Sequence, residues 1–252
     1  MTILELKNLS KSSDGIKAVN GVSLGLKMGK VTGIIGPNGA GKTTLFHLIT
    51  GFLKPDDGEI FYKGKRIDRL KPWQISKTGI GRLFQDVRVF EKMTVLDNVL
   101  TAFPEQEGES PLASIFKIKK VAEEEKERRE KALHWLKFVG LSGYEDIFAE
   151  NLSYGQQKLL SIARLLAANA ATLLLDEPTA GISPQMVPSL LSFIRKLAEE
   201  EGKAVVVIEH DMTVISNVSD SVYFMAEGKI IFFGSPQDVL NNSEVRKVYI
   251  GY

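Results

Sequence analysis

The stretch GPNGAGKTT, Gly36 to Thr44, admits only folds that can set a glycine-rich turn between a strand and a helix. Gly36, Gly41, Lys42 and Thr43 occupy the four fixed positions of G-x-x-x-x-G-K-S/T, with Pro37, Asn38, Gly39 and Ala40 between them and Thr44 following. Before it, KVTGIIG is a short β-branched run ending in glycine; after it, TTLFHLIT repeats Leu45, Leu48 and Ile49 at helical spacing. Strand, loop and helix in that order are the context the pattern needs to cradle a triphosphate. Glycines are required where a Cβ would keep the backbone from approaching the phosphates and turning its N–H groups inward. A helix starting near Gly41 adds orphan amides and the positive end of its dipole. Lys42 is expected to reach the β and γ phosphates as a point charge, and the Thr43 hydroxyl to complete the coordination of a Mg²⁺ bridging the same oxygens.

A chain of 252 residues can bury one substantial core, alone or with a satellite. With 32 basic and 31 acidic residues the formal net charge is +1, so no overall field favours nucleic acid or an anionic membrane surface. The absence of cysteine removes disulfides, thiolate chemistry and Cys-based zinc sites together, which suits a reducing cytosol. No N-terminal segment combines a basic flank, an apolar middle and a small-residue cleavage site. No apolar run approaches the roughly 18 residues of a membrane span, so the chain is expected to be soluble on its own.

ILELKNLS alternates apolar and polar residues and VSLGLKMGK resumes the alternation, so residues 1–35 read as strands of a mixed sheet. GFLKPDDGEIFYKGKRI, with Pro55, Asp57-Gly58 and Gly64, reads as turn, strand and turn. From Met93 to about Leu152 the reading is helical. It includes KIKKVAEEEKERREKALHWL, with Leu133, Leu136 and Val139 on one face and interleaved charges that mark a solvated surface. This block is expected to form a helical subdomain, at about 86–155, inserted into a single domain over 1–252. TLLLD and AVVVIEH are continuous apolar runs, the mark of strands buried on both faces. QMVPSLLSFIRKLAEEEGK between them reads as a helix closed by Gly202, and SVYFMAEGKIIFFGSPQDVL as a hairpin through Glu227-Gly228 followed by a helix from Ser235-Pro236. The order implies an α/β domain around a largely parallel sheet.

Leu173-Leu174-Leu175 ends at Asp176-Glu177, which places two carboxylates at the C-terminal edge of the sheet, where such folds keep their ligands. Asp176 is expected to hold Mg²⁺, usually through water, and Glu177 to orient and deprotonate the attacking water. NLSYGQQKLLSIARLLAANA offers Ser153 before an amphipathic helix, with Gln156 three residues on. The plain reading is a capping box. The same geometry binds anions, with Ser153, the Gly155 backbone and a helix N-terminus around a γ-phosphate. Gln85, which ends GIGRLF, and His210, which ends AVVVIE, carry nothing as lone residues; His47 and His134 lie in helical patterns and receive no chemistry.

Phosphate loop, Gln85, LSYGQ, LLLDE and His210 follow one another in the order and spacing of the ATP-binding-cassette ATPases, which this chain resembles over essentially its whole length. The resemblance implies a phosphate-loop NTPase fold with a mixed to parallel core sheet, N-terminal antiparallel strands and an inserted α-helical subdomain. In that family two ATPase domains face each other head to tail, and each ATP lies between one chain's phosphate loop and the other's signature, here LSYGQ. The implied roles are Lys42 and Thr43 on phosphate and Mg²⁺, Gln85 on Mg²⁺ and water, Asp176 on Mg²⁺, Glu177 as base and His210 on the γ-phosphate. Ser153, Gly155 and Gln156 act in trans, so an isolated monomer is expected to hydrolyse ATP poorly.

Two positions depart from the family pattern. An aromatic ring usually stacks on adenine shortly before AVNGVSL, where this chain has Ser12, Ser13 and Asp14, with Ile16 and Val19 the nearby apolar residues. The loop after Glu177 commonly ends in an Asp before its proline, where TAGISP has Ser183. TGFLKPDDGEI, GRLFQDVRVFEKMTVLDNVLTA, NLSYGQQKLLSIAR, DEPTAGISP, IEHDM and the ending VRKVYIGY resemble the ATPase subunit of branched-chain amino acid importers. An insertion between Phe103 and about Glu130 fits the longer of that system's two ATPase subunits. The lipopolysaccharide-export ATPase has a similar tail and is the near alternative. A soluble cassette ATPase of DNA repair or translation is the rival from another class, opposed by the single cassette, the lack of a long coiled coil and the balanced charge. A phosphate-loop kinase or GTPase does not explain LSYGQ followed at once by LLLDE. The importer reading implies permease subunits in the membrane, a second ATPase subunit, identical or related, and, indirectly, a periplasmic or extracellular solute-binding protein. It implies no nucleic acid and a place at the cytoplasmic face of the membrane. With the chain ending at Tyr252, soon after its last hairpin and helix, no appended regulatory domain is expected.

Overall fold

The computed structural model describes residues 1–13, 15–104 and 118–250. Asp14, Tyr252 and most of the insertion expected after Phe103 lie outside the described residues. The chain divides into two compact units, one of Met1–Gln85, Ala171–Ala180 and Pro184–Tyr252, the other of Asp86–Ala170 with Gly181–Ser183.

The first unit holds two sheets. Strands β1 (Thr2–Ser13), β2 (Ile16–Lys27), β4 (Asp57–Tyr62) and β5 (Lys65–Arg66) form an antiparallel sheet in the order β2-β1-β4-β5. Strands β3 (Val31–Ile35), β6 (Ile80–Leu83), β7 (Thr172–Asp176), β8 (Ala204–Ile208), β9 (Ser221–Ala226) and β10 (Lys229–Gly234) form the second, in the order β10-β9-β3-β8-β7-β6. All its neighbours run parallel except the β9–β10 hairpin. Every residue of β3, β7 and β8 is buried, as the continuous apolar runs require of strands covered on both faces. Leu6, Ile60, Leu45, Phe46, Leu174 and Val206 belong to one core cluster that joins both sheets and the helix Lys42–Ile49.

Parallel register decides where the chemistry sits. Ile34 pairs with Ile208, Asp176 with Ile208 and Leu83 with Leu175, so β3, β6, β7 and β8 end nearly level. The residues that follow them, Gly36, Phe84-Gln85, Glu177 and Glu209-His210, therefore emerge along one edge.

Two local readings change. The segment expected as turn, strand and turn is a two-strand hairpin, with Tyr62 opposite Lys65 across a two-residue turn. Lys63 and Gly64 both take positive φ, 50° and 75°, the geometry that matches the twist of a tight hairpin. Among the described residues of the second unit the helices are Val95–Leu100, Ile118–Phe138 and Tyr154–Ala167, with a short 3-10 turn at Ala149–Asn151. Helix does not persist from residue 93 to 152, because Gly140 and Gly143 take positive φ and break the stretch after Phe138. The buried face of the charged helix runs through Ala132 and Leu136 and continues to Val139, leaving Leu133 half-buried on its flank. The part-buried pair Arg128–Glu124 continues that face toward the helix start, and the exposed pair Lys131–Glu127 lies on the outer face, each spanning one turn. The helix Tyr154–Ala167 packs on Val95–Leu100 and on Ile118–Phe138. Among the described residues no helix is long and apolar enough to cross a membrane.

Leu174 is fully buried in β7 with strands on either side. Truncating it to Ala is expected to lower unfolding free energy by about 2–5 kcal/mol, seen in urea denaturation as a lower midpoint with an unchanged slope.

Candidate functional site

The loop between β3 and the helix Lys42–Ile49 is set by backbone lying directly on backbone. A Cβ on Gly36 would stand 1.9 Å from the Met225 carbonyl oxygen, and one on Gly41, at φ 97°, would stand 2.0 Å from that of Ala18. The turn of the β9–β10 hairpin braces the same loop, because Gly228 N–H donates to Ala40 and the Gly228 carbonyl accepts from Asn20. Lys42 is buried and folds back over the loop, its Nζ donating to the carbonyls of Gly36 (2.7 Å) and Pro37 (2.9 Å). Burial pulls the Lys42 amine below its ordinary pKa, and the nearby Glu177 and Asp176 charges oppose that shift. Ala18, residues 38–44, Glu177 and His210 line a cavity of about 220 Å³.

Four of the expected residues converge at the sheet edge. Asp176 ends β7 and is paired with Arg82, Nη2 to Oδ2 at 2.7 Å. Glu177 follows in the left-handed region at φ 47°, which turns its side chain out of the strand course; its N–H donates to the Ile208 carbonyl. Both of its carboxylate oxygens are engaged, Oε2 accepting from Gln85 Nε2 at 3.1 Å and Oε1 lying 2.7 Å from His210 Nε2. Gln85 and His210 thus meet at Glu177, a relation their separate strands did not reveal. Ser153, Gly155 and Gln156 belong to the second unit, and Ser153 and Gln156 form the capping box: Gln156 N–H donates to Ser153 Oγ at 3.3 Å, and Ser153 N–H to Gln156 Oε1 at 2.9 Å. Tyr154, the first residue of that helix, packs against Gly181, where a Cβ would fall 2.8 Å from its ring.

Sequence reasoning passed over two buried charges. Arg82 lies within β6, and Glu209 accepts from the Thr179 backbone N–H (2.9 Å) and hydroxyl (2.6 Å), fastening the loop that follows Glu177. The available signal was a charged residue inside each of the apolar runs GIGRLF and AVVVIEH. Of the two apolar residues near the missing aromatic, Val19 is fully buried in the core, whereas Ile16 is 72% exposed at the start of β2. His47 is half-buried, and burial together with the Arg82 charge holds its pKa below the ordinary histidine value.

A glycine loop between a parallel strand and a helix, with carboxylates ending a second parallel strand one place further along the same sheet, defines a phosphate-loop α/β fold. Within that class the chain belongs to the ABC transporter family, whose profile matches residues 19–180. It is 41% identical, over the whole chain and 96% of the relative, to the probable branched-chain amino acid transport ATP-binding protein LivG of Archaeoglobus fulgidus. The crystal structure of the ADP conformation of an ATP-binding cassette of an ABC transporter superposes with a TM-score of 0.84 at 38% identity, covering all of both chains. A dimeric cassette in a post-hydrolysis state bound to ADP and Pi superposes with a TM-score of 0.76 at 29% identity, covering 93% of this chain and 99% of that one.

Gly41→Ala is expected to lower the stability of the ligand-free protein by about 3 kcal/mol or more, because both the φ and the Ala18 carbonyl oppose a methyl group. Gly39→Ala, at φ 78° with no atom within 4 Å of the added Cβ, is expected to lose only about 1–2 kcal/mol. Parallel urea unfolding curves compare the two.

Proposed function

We propose that this chain is the ATP-hydrolysing subunit of an ABC importer for branched-chain amino acids, working at the cytoplasmic face of a membrane as one of a head-to-tail pair of cassettes. The observation that carries the reading is Glu177, which shares one cavity with the phosphate loop and has its carboxylate held by both Gln85 and His210. The similarity to LivG supports the cargo class, and the dimeric ADP- and Pi-bound relative supports the pairing.

The loop amides from Gly36 to Thr44 and the start of the following helix take the phosphates, and Lys42 exchanges its carbonyl partners for phosphate oxygens. Thr43, Gln85 and Asp176 are the protein's donors to Mg²⁺. They are hard oxygen ligands with one carboxylate among them, and no group of three or more His, Cys, Asp or Glu suited to a metal occurs among the described residues. That sparse set fits an ion that keeps its waters and shares phosphate oxygens better than it fits zinc. When bound, Mg²⁺ neutralises charge on the β and γ oxygens. Glu177 accepts the proton of the attacking water, Gln85 and His210 hold that carboxylate in place, and His210 also reaches the γ-phosphate when nucleotide enters. Ser153, Gly155 and Gln156 offer their helix start to the nucleotide of the second chain. Their capping box already satisfies the helix end, so the segment stays folded while it waits. ATP favours the closed pair through contacts that only the pair offers, and hydrolysis releases it; the motion passes through the surface beside Gln85 to permease subunits.

With its partners present, Glu177→Gln is expected to reduce ATP turnover by about 100-fold or more while retaining nucleotide binding. Turnover at the parental rate would remove Glu177 as the base. Affinity purification in mild detergent, followed by transport assays in vesicles, tests the cargo. Two multispanning proteins, a second ATPase and ATP-driven leucine accumulation are expected, whereas recovery of lipopolysaccharide-transport components or ribosomes without leucine uptake contradicts the importer assignment.

A further inference from the structure

Arg82 has no step in this mechanism, yet its placement is demanding. Its strand is buried at every position, its side chain and that of Asp176 are each 4% exposed, and among the described residues Nη2 to Oδ2 is its one side-chain hydrogen bond. The guanidinium carbon lies 4.8 Å from the Phe84 ring centroid and 5.5 Å from that of Phe46. Nε and Nη1 are buried with no hydrogen-bond partner among the described residues. Stability does not account for such a residue, since buried ion pairs are often replaced by apolar side chains without loss and unsatisfied N–H groups weigh against folding.

What the arrangement accomplishes is at Asp176. That carboxylate is buried at a strand end with Glu177 next in the chain; the Lys42 amine feels its charge, but Arg82 is the cation bonded to it. Arginine supplies a counter-charge it does not surrender, and the two ring faces tolerate it. The bond engages Oδ2 alone and leaves Oδ1 to another partner.

We propose that Arg82 is a positioning residue for divalent-cation binding. It is a resident counter-ion that fixes Asp176 through one oxygen and offsets part of its charge, so that the site takes up and releases Mg²⁺ with each nucleotide instead of retaining it. The inference rests on Asp176 being a metal-binding carboxylate. A fixed positive charge beside the carboxylate repels a divalent ion at its other oxygen, and removing that charge must tighten binding.

The test uses Mn²⁺ as the probe, titrated into the full-length chain with saturating ADP and followed by electron paramagnetic resonance, so that no turnover enters the readout. Arg82→Met and Arg82→Gln are each expected to lower the Mn²⁺ midpoint by about fivefold or more, and Arg82→Lys, which keeps the charge, to stay within about twofold of the parent. Asp176→Asn is expected to raise the midpoint, and adding Arg82→Met to it to change nothing further. ADP affinity in EDTA reports whether the phosphate loop is intact in each variant. Midpoints in Arg82→Met and Arg82→Gln equal to or above the parent's, with Asp176→Asn still weakening Mn²⁺, would overturn the inference and leave Asp176 as the metal carboxylate. An unmoved midpoint in Asp176→Asn would instead remove the Asp176 assignment, and the inference with it. If the two neutral variants do not fold, the charge-balanced double variant decides: a midpoint different from that of Asp176→Asn alone means that Arg82 does not act through Asp176.

Discussion

Peptide groups resting directly on peptide groups hold the phosphate loop, and the rest of the first unit is arranged to make that possible. Gly36 lies against the Met225 carbonyl and Gly41 against that of Ala18, with gaps too small for a single methyl group. The first support comes from β9 and the second from β2, so each of the two sheets contributes one wall. This gives the antiparallel sheet a mechanical role beyond covering the core: it fixes the distance at which β2 meets the start of the helix Lys42–Ile49. A loop clamped in this way keeps its amides in one arrangement before any ligand arrives, which reduces the ordering that binding must pay for.

The second constraint is charge at the ends of buried strands. Asp176, Glu209, Arg82 and Lys42 are all buried at or near one sheet edge, and each is engaged: Asp176 by Arg82, Glu209 by Thr179, Lys42 by two loop carbonyls. Such groups are tolerable inside a protein only when bonded or paired. Their partners come from strands and loops far apart in sequence, so the edge holds together only in the complete sheet. Glu177 has a different solution, because its left-handed backbone turns the carboxylate toward Gln85 and His210. The strain of that conformation sits where the chemistry is expected, a placement that rigid neighbouring strands can sustain.

Patterns that depend on near neighbours were legible in the sequence. The strand–loop–helix around Gly36 to Thr44, the fully buried β7 and β8, the hairpin at Glu227-Gly228 and the helix started at Ser235-Pro236 all follow from periodicity, turn residues and caps within a few positions. The capping box at Ser153 was readable for the same reason, since both its bonds span three residues. Misreadings came where a local signal was short or met a competing one. Lys65–Arg66 is too brief to announce a strand without its partner Phe61–Tyr62. Leu133 matched the helical period as well as Ala132 did, and only packing selected Ala132 for the interior.

The sequence by itself determined most of the element types, the glycine loop and which side chains are candidates to bind phosphate, carry a proton or ligate a hard cation, because these depend on side-chain chemistry and on spacing along the chain. It could not determine that Gln85 and His210 share Glu177, that Arg82 answers Asp176, or that Glu209 fastens Thr179. Those pairs are separated by 92, 33, 94 and 30 residues. Only the register of the parallel strands brings them within hydrogen-bonding distance. A one-residue slip in that register would leave every motif in the chain intact and separate the groups that must meet.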